Sequence, residues 1–168
     1  MSQAFFNGIT ENLPNATVTF DKFHVISLVN TAVEKVRRNE QKTCPELVGS
    51  RYVWLKNPEN LTERQWEKFD DLDIVSSHLK TARAYHIRLV FQELYNQPAA
   101  KAESYLKRWY FWATHSRIQP IIDVAKTIRR HQDGILRWFT SGINNGILEG
   151  INLKTAVRQR HYRSEGYF

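Results

Sequence analysis

Hydrophobic side chains recur at helical spacing along most of the chain. In the first long example they fall at i, i+3, i+4, i+7, i+8 and i+11, which is one face of a helix: Val25, Leu28, Val29, Ala32, Val33 and Val36. Glu34 and Arg38 are predicted to pair on the outer side of this helix. The chain contains only 7 Gly and 5 Pro, so few residues interrupt such patterns. The pattern predicts a mainly helical protein.

Helical patterns continue downstream. Thr62 and Gln65 form a capping-box pattern at the start of one helix. The next stripe predicts a continuous helix with a packed core histidine: Val75, Leu79, Ala82, His86, Leu89 and Val90. Pro98 and Pro120 suit the starts of two more helices. Their stripes are Ala102, Tyr105, Leu106, Trp109, Trp112 and Ala113, then Ile121, Val124, Ala125 and Ile128. A final helix is predicted from about residue 145 to 158.

A few segments have other patterns. Residues 3–12 predict a short helix, and the β-branched and aromatic run 16–20 predicts a strand that ends directly before Asp21. Residues 51–55 are interpreted as a short extended piece within a polar loop. Residues 135–139 fit a strand or a helix equally well. The chain is therefore expected to open as helix, strand and helix.

The net charge is unevenly distributed. The chain has 24 Lys and Arg against 17 Asp and Glu. Residues 1–100 carry 12 of each sign, whereas residues 101–168 carry 12 basic and 5 acidic side chains. A basic C-terminal segment favours a polyanionic partner, with nucleic acid before a membrane surface. A solvated basic face is the alternative.

Cysteine usage and hydropathy narrow the class of protein. Cys44 is the single cysteine, which excludes an intramolecular disulfide and a cysteine-based zinc cluster. The N-terminus lacks the pattern of a signal peptide, and no apolar run approaches the ~18 residues of a membrane span. A reducing cytoplasm, without a membrane partner, is the expected location.

Glu149 is the first candidate for a functional residue, as a carboxylate that could hold a metal ion. On a helix, Asn145, Glu149 and Asn152 share one side. A strongly basic run follows this polar strip and includes Lys154, Arg158, Arg160, His161 and Arg163. A carboxylate beside such a run can hold a divalent metal next to a phosphodiester, since the metal takes oxygen ligands and the basic residues hold the backbone. The alternative is an ordinary surface glutamate.

Two further groups have both a functional and a structural interpretation. Asp21 and His24 could form a metal or general-base pair, although Asp is also a preferred helix N-cap. The run Lys107 to Trp112 could stack nucleobases, although Trp109 and Trp112 also continue a helical stripe that suits core packing.

These residues together resemble the DDE transposases of bacterial insertion sequences, specifically the ISL-three family. The resemblance rests on Asp-Lys-Phe-His at 21–24 and on Asn-Gly-x-x-Glu-Gly-x-Asn at 145–152. It extends through residues 30–38, 51–56, 60–62 and 109–120 to Arg160-His161-Tyr162-Arg163 and Gly166-Tyr167, and so covers essentially the whole chain.

The resemblance implies an α+β, mainly helical architecture, with a partial RNase H-like core of one or two strands and a large helical insertion. Within one partial domain, residues 1–40 supply helix, strand and helix of the core. Residues 41–133 form the insertion, and residues 134–168 form a Glu-bearing helix with a basic tail.

The family's reaction is DNA strand cleavage and transfer, in which three carboxylates bind two Mg²⁺ or Mn²⁺ ions. Glu149 matches the third carboxylate and is thereby a catalytic, metal-binding candidate. The resemblance makes Asp21, His24, Asn145 and Asn152 site-supporting residues, and Lys154, Arg158, Arg160 and Arg163 DNA-binding residues. A variant interpretation makes Asp21 itself one of the acids.

The start of the chain departs from the family pattern. Met1 and Ser2 match a stretch that directly follows the family's second catalytic Asp. The expectation is therefore a C-terminal transposase fragment without the first two acids, inactive alone, binding no metal stably, and exposing a strand edge at residues 16–20. The resemblance also implies a location in the bacterial cytoplasm, associated with the nucleoid. The alternative function is a non-catalytic remnant that binds DNA or dimerises, with itself or with a full-length transposase, and modulates that transposase.

Overall fold

The fold consists of helices joined by short turns. The computed structural model describes residues 8, 11–13, 15, 17–76 and 79–141, with the backbone alone for 73–76. The α-helices of these ranges are α1 (Lys22–Glu40), α2 (Arg51–Leu55), α3 (Glu63–Ser76), α4 (Lys80–Gln92), α5 (Ala99–Thr114), α6 (Gln119–Arg130), α7 (Gln132–Leu136) and α8 (Trp138–Ser141). Short 3₁₀ helices lie at Pro45–Leu47, Pro58–Asn60 and Glu93–Asn96. Gly8, Glu11 and Asn12 are also helical.

Helix α1 lies at the centre of the packing and contacts mainly α4 and α6. The predicted apolar face of α1 is buried at Val25, Val29, Ala32, Val33 and Val36. The predicted stripe of α6 is buried in full, at Ile121, Val124, Ala125 and Ile128. These two helices confirm that the 3.6-residue period of apolar positions marks the core face.

The stripe predicted as one helix from Val75 to Val90 is divided between two helices. Leu79 is extended, with φ −71° and ψ 129°, and α4 begins at Lys80. The carboxylate of Glu40 accepts hydrogen bonds from the backbone N–H groups of Lys80 (2.8 Å) and Thr81 (2.7 Å). Glu40 thus caps α4 from the end of α1, satisfying amides that a helix start leaves without partners.

The buried face of α4 also differs from the predicted one. Tyr85, Ile87 and Phe91 are buried, whereas His86 is exposed. The prediction of His86 as a packed core histidine is therefore wrong. Helix α4 packs against α1, and this contact decides which face of α4 is buried. The predicted stripe continued through the break at Leu79 and therefore marked a different face.

Residues 17–20 are not part of a strand, and the described ranges contain no strand. The Phe20 N–H donates to the carbonyl oxygen of Gly134 at 3.0 Å, and the Arg137 guanidinium donates to the Val18 carbonyl at 2.9 Å. The segment thus docks on α7 and the turn after it, which corrects the prediction of an exposed strand edge. The mainly α class is confirmed, and the RNase H-like core is not confirmed in this part of the chain.

Residues 51–55 form a helix where an extended piece was predicted. Val53 and Trp54 are buried, and the indole N–H of Trp54 donates to the Ser50 hydroxyl at 2.9 Å. The buried guanidinium of Arg88 donates to the carbonyls of Leu55 (2.8 Å) and Lys56 (3.3 Å) at the end of this helix. A helix this short has little stability of its own, so these contacts with α4 account for it. Residues 135–136 form the end of α7 and residues 138–139 the start of α8, with Arg137 in the turn between them.

Candidate functional site

Asp21 caps the N-terminus of α1. Its backbone is extended, and its Oδ1 atom accepts hydrogen bonds from the N–H groups of Phe23 (2.9 Å) and His24 (3.2 Å). This geometry confirms the helix-cap interpretation of Asp21. His24 Nδ1 lies 3.3 Å from the same oxygen, and its side chain is 78% exposed. Asp21 and His24 therefore lie together at the surface end of α1.

The second carboxylate oxygen of Asp21 faces a different environment. Oδ2 is buried and has no hydrogen-bond partner among the described residues, and the same holds for the hydroxyl of Tyr95. Tyr95 packs against the rings of Trp138 and Phe139. Burial first, and then the negative charge of Asp21, raise the pKa of the Tyr95 hydroxyl well above its ordinary value. The charge of Asp21 at the start of α1 thus acts on the tyrosine that packs against the aromatic residues of α8.

Most of the predicted site residues lie outside the described ranges. These are Asn145, Glu149, Asn152, Lys154, Arg158, Arg160 and Arg163. The structure brings together Asp21 and His24, and the arrangement of Glu149 with its neighbours stays a prediction.

A buried ionic cluster on α1 was only partly predicted. Glu34 accepts bonds from the Arg37 guanidinium at 2.8 and 2.9 Å, and from Arg38 at 2.9 Å. The pKa of Glu34 is lowered to about 2, and the hydrogen bonds from Arg37 are the main cause. The predicted Glu34–Arg38 pair exists, but Glu34 is buried and not on an outer side. A groove of about 530 Å³ beside the cluster is lined partly by Asn30, Lys35 and Arg51.

The basic and aromatic run on α5 divides between the core and the surface. Trp109 is 2% exposed and donates its indole N–H to the Ile87 carbonyl at 2.9 Å, which confirms core packing for this residue. Trp112 is 42% exposed and Phe111 is 64% exposed, so core packing of Trp112 is only partial. The apolar stripe did not predict the exposure of Phe111, because Phe111 lies on the side of the helix opposite to the stripe.

Comparison with known proteins identifies the family. A family model of the ISL-three (ISL3) DDE transposases, described as "Transposase", matches residues 1–167. The chain belongs to the ISL-three family of DDE transposases.

Two curated relatives from this comparison are themselves transposases. The chain is 27% identical over 180 residues to the transposase for insertion sequence element IS1557 of Mycobacterium tuberculosis, covering 90% of this chain and 40% of that protein. It is 27% identical over 179 residues to the transposase for IS1001 of Bordetella parapertussis, covering all of this chain and 44% of that protein. The chain thus spans under half the length of these relatives. No solved structure matches.

The described part of this transposase chain does not by itself form a metal site. None of its residues form a group of three or more His, Cys, Asp and Glu side chains that could hold a metal ion. Asp21 and His24 offer two donors, and the Oδ1 atom of Asp21 is already engaged with the α1 amides. Mg²⁺ requires near-octahedral oxygen coordination, so this pair alone does not fit it.

The described helices contain no candidate membrane span.

Proposed function

We propose that this chain supplies the C-terminal part of the catalytic domain of a DNA transposase, with Glu149 as the third acid of the family's DDE triad. The observation that carries the proposal is the family match over residues 1–167, which includes the Glu149 signature at 145–152. The family's reaction is DNA strand cleavage and transfer with Mg²⁺ or Mn²⁺. The bases that follow Glu149, at Lys154, Arg158, Arg160 and Arg163, are proposed to hold the DNA backbone.

Under this proposal, these 168 residues contain one of the three carboxylates of the DDE triad and do not cleave DNA by themselves. The first test incubates the purified chain with terminal inverted-repeat DNA and Mg²⁺ or Mn²⁺. We expect no strand cleavage, because one carboxylate cannot hold two metal ions. Metal-dependent cutting that Glu149→Ala abolishes would overturn the assigned inactivity.

The second test addresses Glu149 in a longer reading frame. Translation of the DNA upstream of the Met1 codon should give an Asp directly before Met1, preceded by further transposase-like sequence. In the protein encoded by that longer frame, Glu149→Ala should abolish excision of the element in cells. Glu165→Ala, which removes a carboxylate outside the signature, is the matched control and should retain excision. Equal excision by both variants would contradict the role of Glu149.

Asp21 is proposed to support the site as the cap of α1 and not as a metal-binding acid. Its engagement with the amides of Phe23 and His24 supports this role. Asn caps helices about as well as Asp, so Asp21→Asn should keep the stability of the wild type, whereas Asp21→Ala should lose about 1 kcal/mol. Mn²⁺ titration distinguishes the alternative, since an Asp21 ligand predicts weaker binding in Asp21→Asn than in wild type.

A second candidate function is a non-catalytic DNA-binding remnant that modulates a full-length transposase. The observation that favours it is the excess of basic residues on α5 to α8 and the segments between them. Residues 101–141 contain eight Lys and Arg against three Asp and Glu. All but one of the eight are exposed. This function requires no acid at position 149, which separates it from the first.

A further inference from the structure

The exposed aromatic residues of α5 border a groove shared with α4. Seven residues line this groove, which encloses about 390 Å³: Arg83, His86, Ile87, Val90, Trp112, His115 and Ser116. Arg108, Phe111, Trp112 and His115 follow one another at i, i+3, i+4 and i+7, so they lie along one side of α5. We call the groove, together with Arg108 and Phe111, the aromatic groove.

The rings of the aromatic groove are available for stacking. Phe111 is 64% and Trp112 is 42% exposed, whereas Trp109 on the same helix is 2% exposed. The rings of Phe111 and His115 lie 4.1 Å apart at 30° to each other. This near-parallel pair is held by the backbone, because His115 Nδ1 is 2.7 Å from the Phe111 carbonyl oxygen. An ordered, exposed pair of rings offers a flat face at low entropic cost.

The charge around these rings has one sign. Among the described residues that line the groove, none is Asp or Glu, while Arg83 lies on its wall and Arg108 lies one helical turn before Trp112 on α5. The Arg83 guanidinium donates to the Ser116 carbonyl and so joins α4 to the turn after α5. The guanidinium of Arg108 lies 5.8 Å from the ring centre of Tyr105. Aromatic faces flanked by guanidinium groups fit nucleobases joined by phosphates.

We propose that the aromatic groove binds unpaired nucleotides of single-stranded DNA, with bases stacked on Phe111 and Trp112 and phosphates held by Arg83 and Arg108. The proposal rests on the proposed function in one respect, that the partner is DNA. Unpaired bases are favoured over a duplex because base pairs stacked in a duplex hide the faces that the rings would cover. The groove lies on the helical insertion predicted for residues 41–133, and this binding does not require Glu149.

The test measures fluorescence anisotropy of a labelled oligo(dT) of about twelve nucleotides, a length within the range of single-stranded binding sites. A duplex hairpin of equal charge is the comparison. We expect tighter binding of the single strand at low salt, and about tenfold weaker binding after Trp112→Leu or Phe111→Leu. Phe111 is 64% exposed and Trp112 is 42% exposed, and neither belongs to the buried core, so both variants should retain the helical circular dichroism and melting temperature of the wild type.

Trp66→Leu is the matched control, because Trp66 is 39% exposed, lies on α3 and does not line the groove. It should bind oligo(dT) within twofold of the wild type. Equal affinity for single strand and hairpin, or unchanged affinity in both groove variants, would overturn the proposal. So would concentration-dependent self-association lost in Trp112→Leu without any binding of oligo(dT). These readouts involve no cleavage, so their failure would leave the assignment of Glu149 intact.

Discussion

Glu34 shows how a single residue on α1 couples charge to folding. Its carboxylate is buried and is bonded through both oxygens to Arg37, with Arg38 as a further donor. Two buried charges with this geometry depend on each other, since removing one leaves the other without compensation. Glu103 on α5 offers a contrast, because its bond to Lys107 at 2.7 Å is exposed to water.

The lowered pKa of Glu34 predicts a pH-dependent stability. Because the folded pKa is about 2 and the ordinary value is 4.5, the stabilisation is complete above pH 4.5 and is lost as the pH falls towards 2. Glu34→Gln should lower the free energy of unfolding at pH 7 by about 3 kcal/mol and flatten its decline in this acid range. Urea unfolding at a series of pH values measures both effects.

The matched control for that experiment is Glu103→Gln. Exposed ion pairs contribute little, so this variant should follow the wild-type pH profile closely. A Glu34→Gln profile parallel to that of wild type would contradict the assigned role of Glu34.

At the level of elements, the contact between residues 17–20 and α7 replaces the predicted strand. Gly134 makes this contact possible, since a Cβ atom there would lie 2.6 Å from the Phe20 ring and 3.0 Å from the Val18 carbonyl oxygen. Only a residue without a side chain allows the two segments to approach so closely. The N-terminal segment is thereby connected to residues more than one hundred positions away.

Gly134→Ala tests this docking. The added methyl group should displace the 17–20 segment and lower the free energy of unfolding by about 1–3 kcal/mol, as overpacking does. Gly8→Ala is the matched control, because Gly8 is helical and a Cβ there meets nothing within 4 Å. It should be neutral or stabilising by up to ~1 kcal/mol. A Gly134→Ala protein as stable as wild type in urea would show that the segment does not dock in this way.

For the whole molecule, the distribution of charge extends the DNA-binding hypothesis to the described helices. Of the 12 basic residues after position 100, eight lie in residues 101–141 and four in residues 142–168. The excess of positive charge is therefore not confined to the tail after Glu149. Most of it belongs to the part of the chain that contains α5 to α8.

This distribution predicts a salt-dependent affinity for DNA of any sequence. The logarithm of the binding constant should fall linearly with the logarithm of salt concentration, because bound phosphates release counterions. Removing two exposed charges on α6, in Lys126→Gln with Arg130→Gln, should reduce the slope by about two if both contact phosphates. Lys42→Gln with Arg64→Gln, in the electrically neutral first hundred residues, is the control and should leave the slope unchanged. Binding that is insensitive to salt would contradict the remnant hypothesis.

The predictions from sequence were most accurate where structure depends on nearby residues. The stripes of α1 and α6 identified the buried faces, and Asp21 was recognised as a possible cap. Gln65 also behaves as its pattern indicated, since its side chain accepts the Thr62 N–H at 3.1 Å at the start of α3. Each of these features depends on residues within a few turns of one helix, and that information is present in local spacing.

The candidate site was predictable only in part. Its signature residues around Glu149 follow from family resemblance, and the pairing of Asp21 with His24 follows from their spacing of three residues on a helix. The exposure of Phe111 beside a groove did not follow from either. It depends on how α5 packs against α4, which sequence periodicity does not specify.

The sequence alone determined the family of this transposase chain, its mainly helical class and its basic second part, because these depend on composition, order and local periodicity. Tertiary structure decided where α4 begins, why residues 51–55 form a helix and where residues 17–20 dock. In each case the deciding contact joins residues far apart in sequence. The Glu40 carboxylate accepts the Lys80 N–H, the Arg88 guanidinium donates to the Leu55 carbonyl, and the Gly134 carbonyl accepts the Phe20 N–H. Backbone groups at helix ends and in extended segments need hydrogen-bond partners, and only the folded chain determines which distant residues supply them.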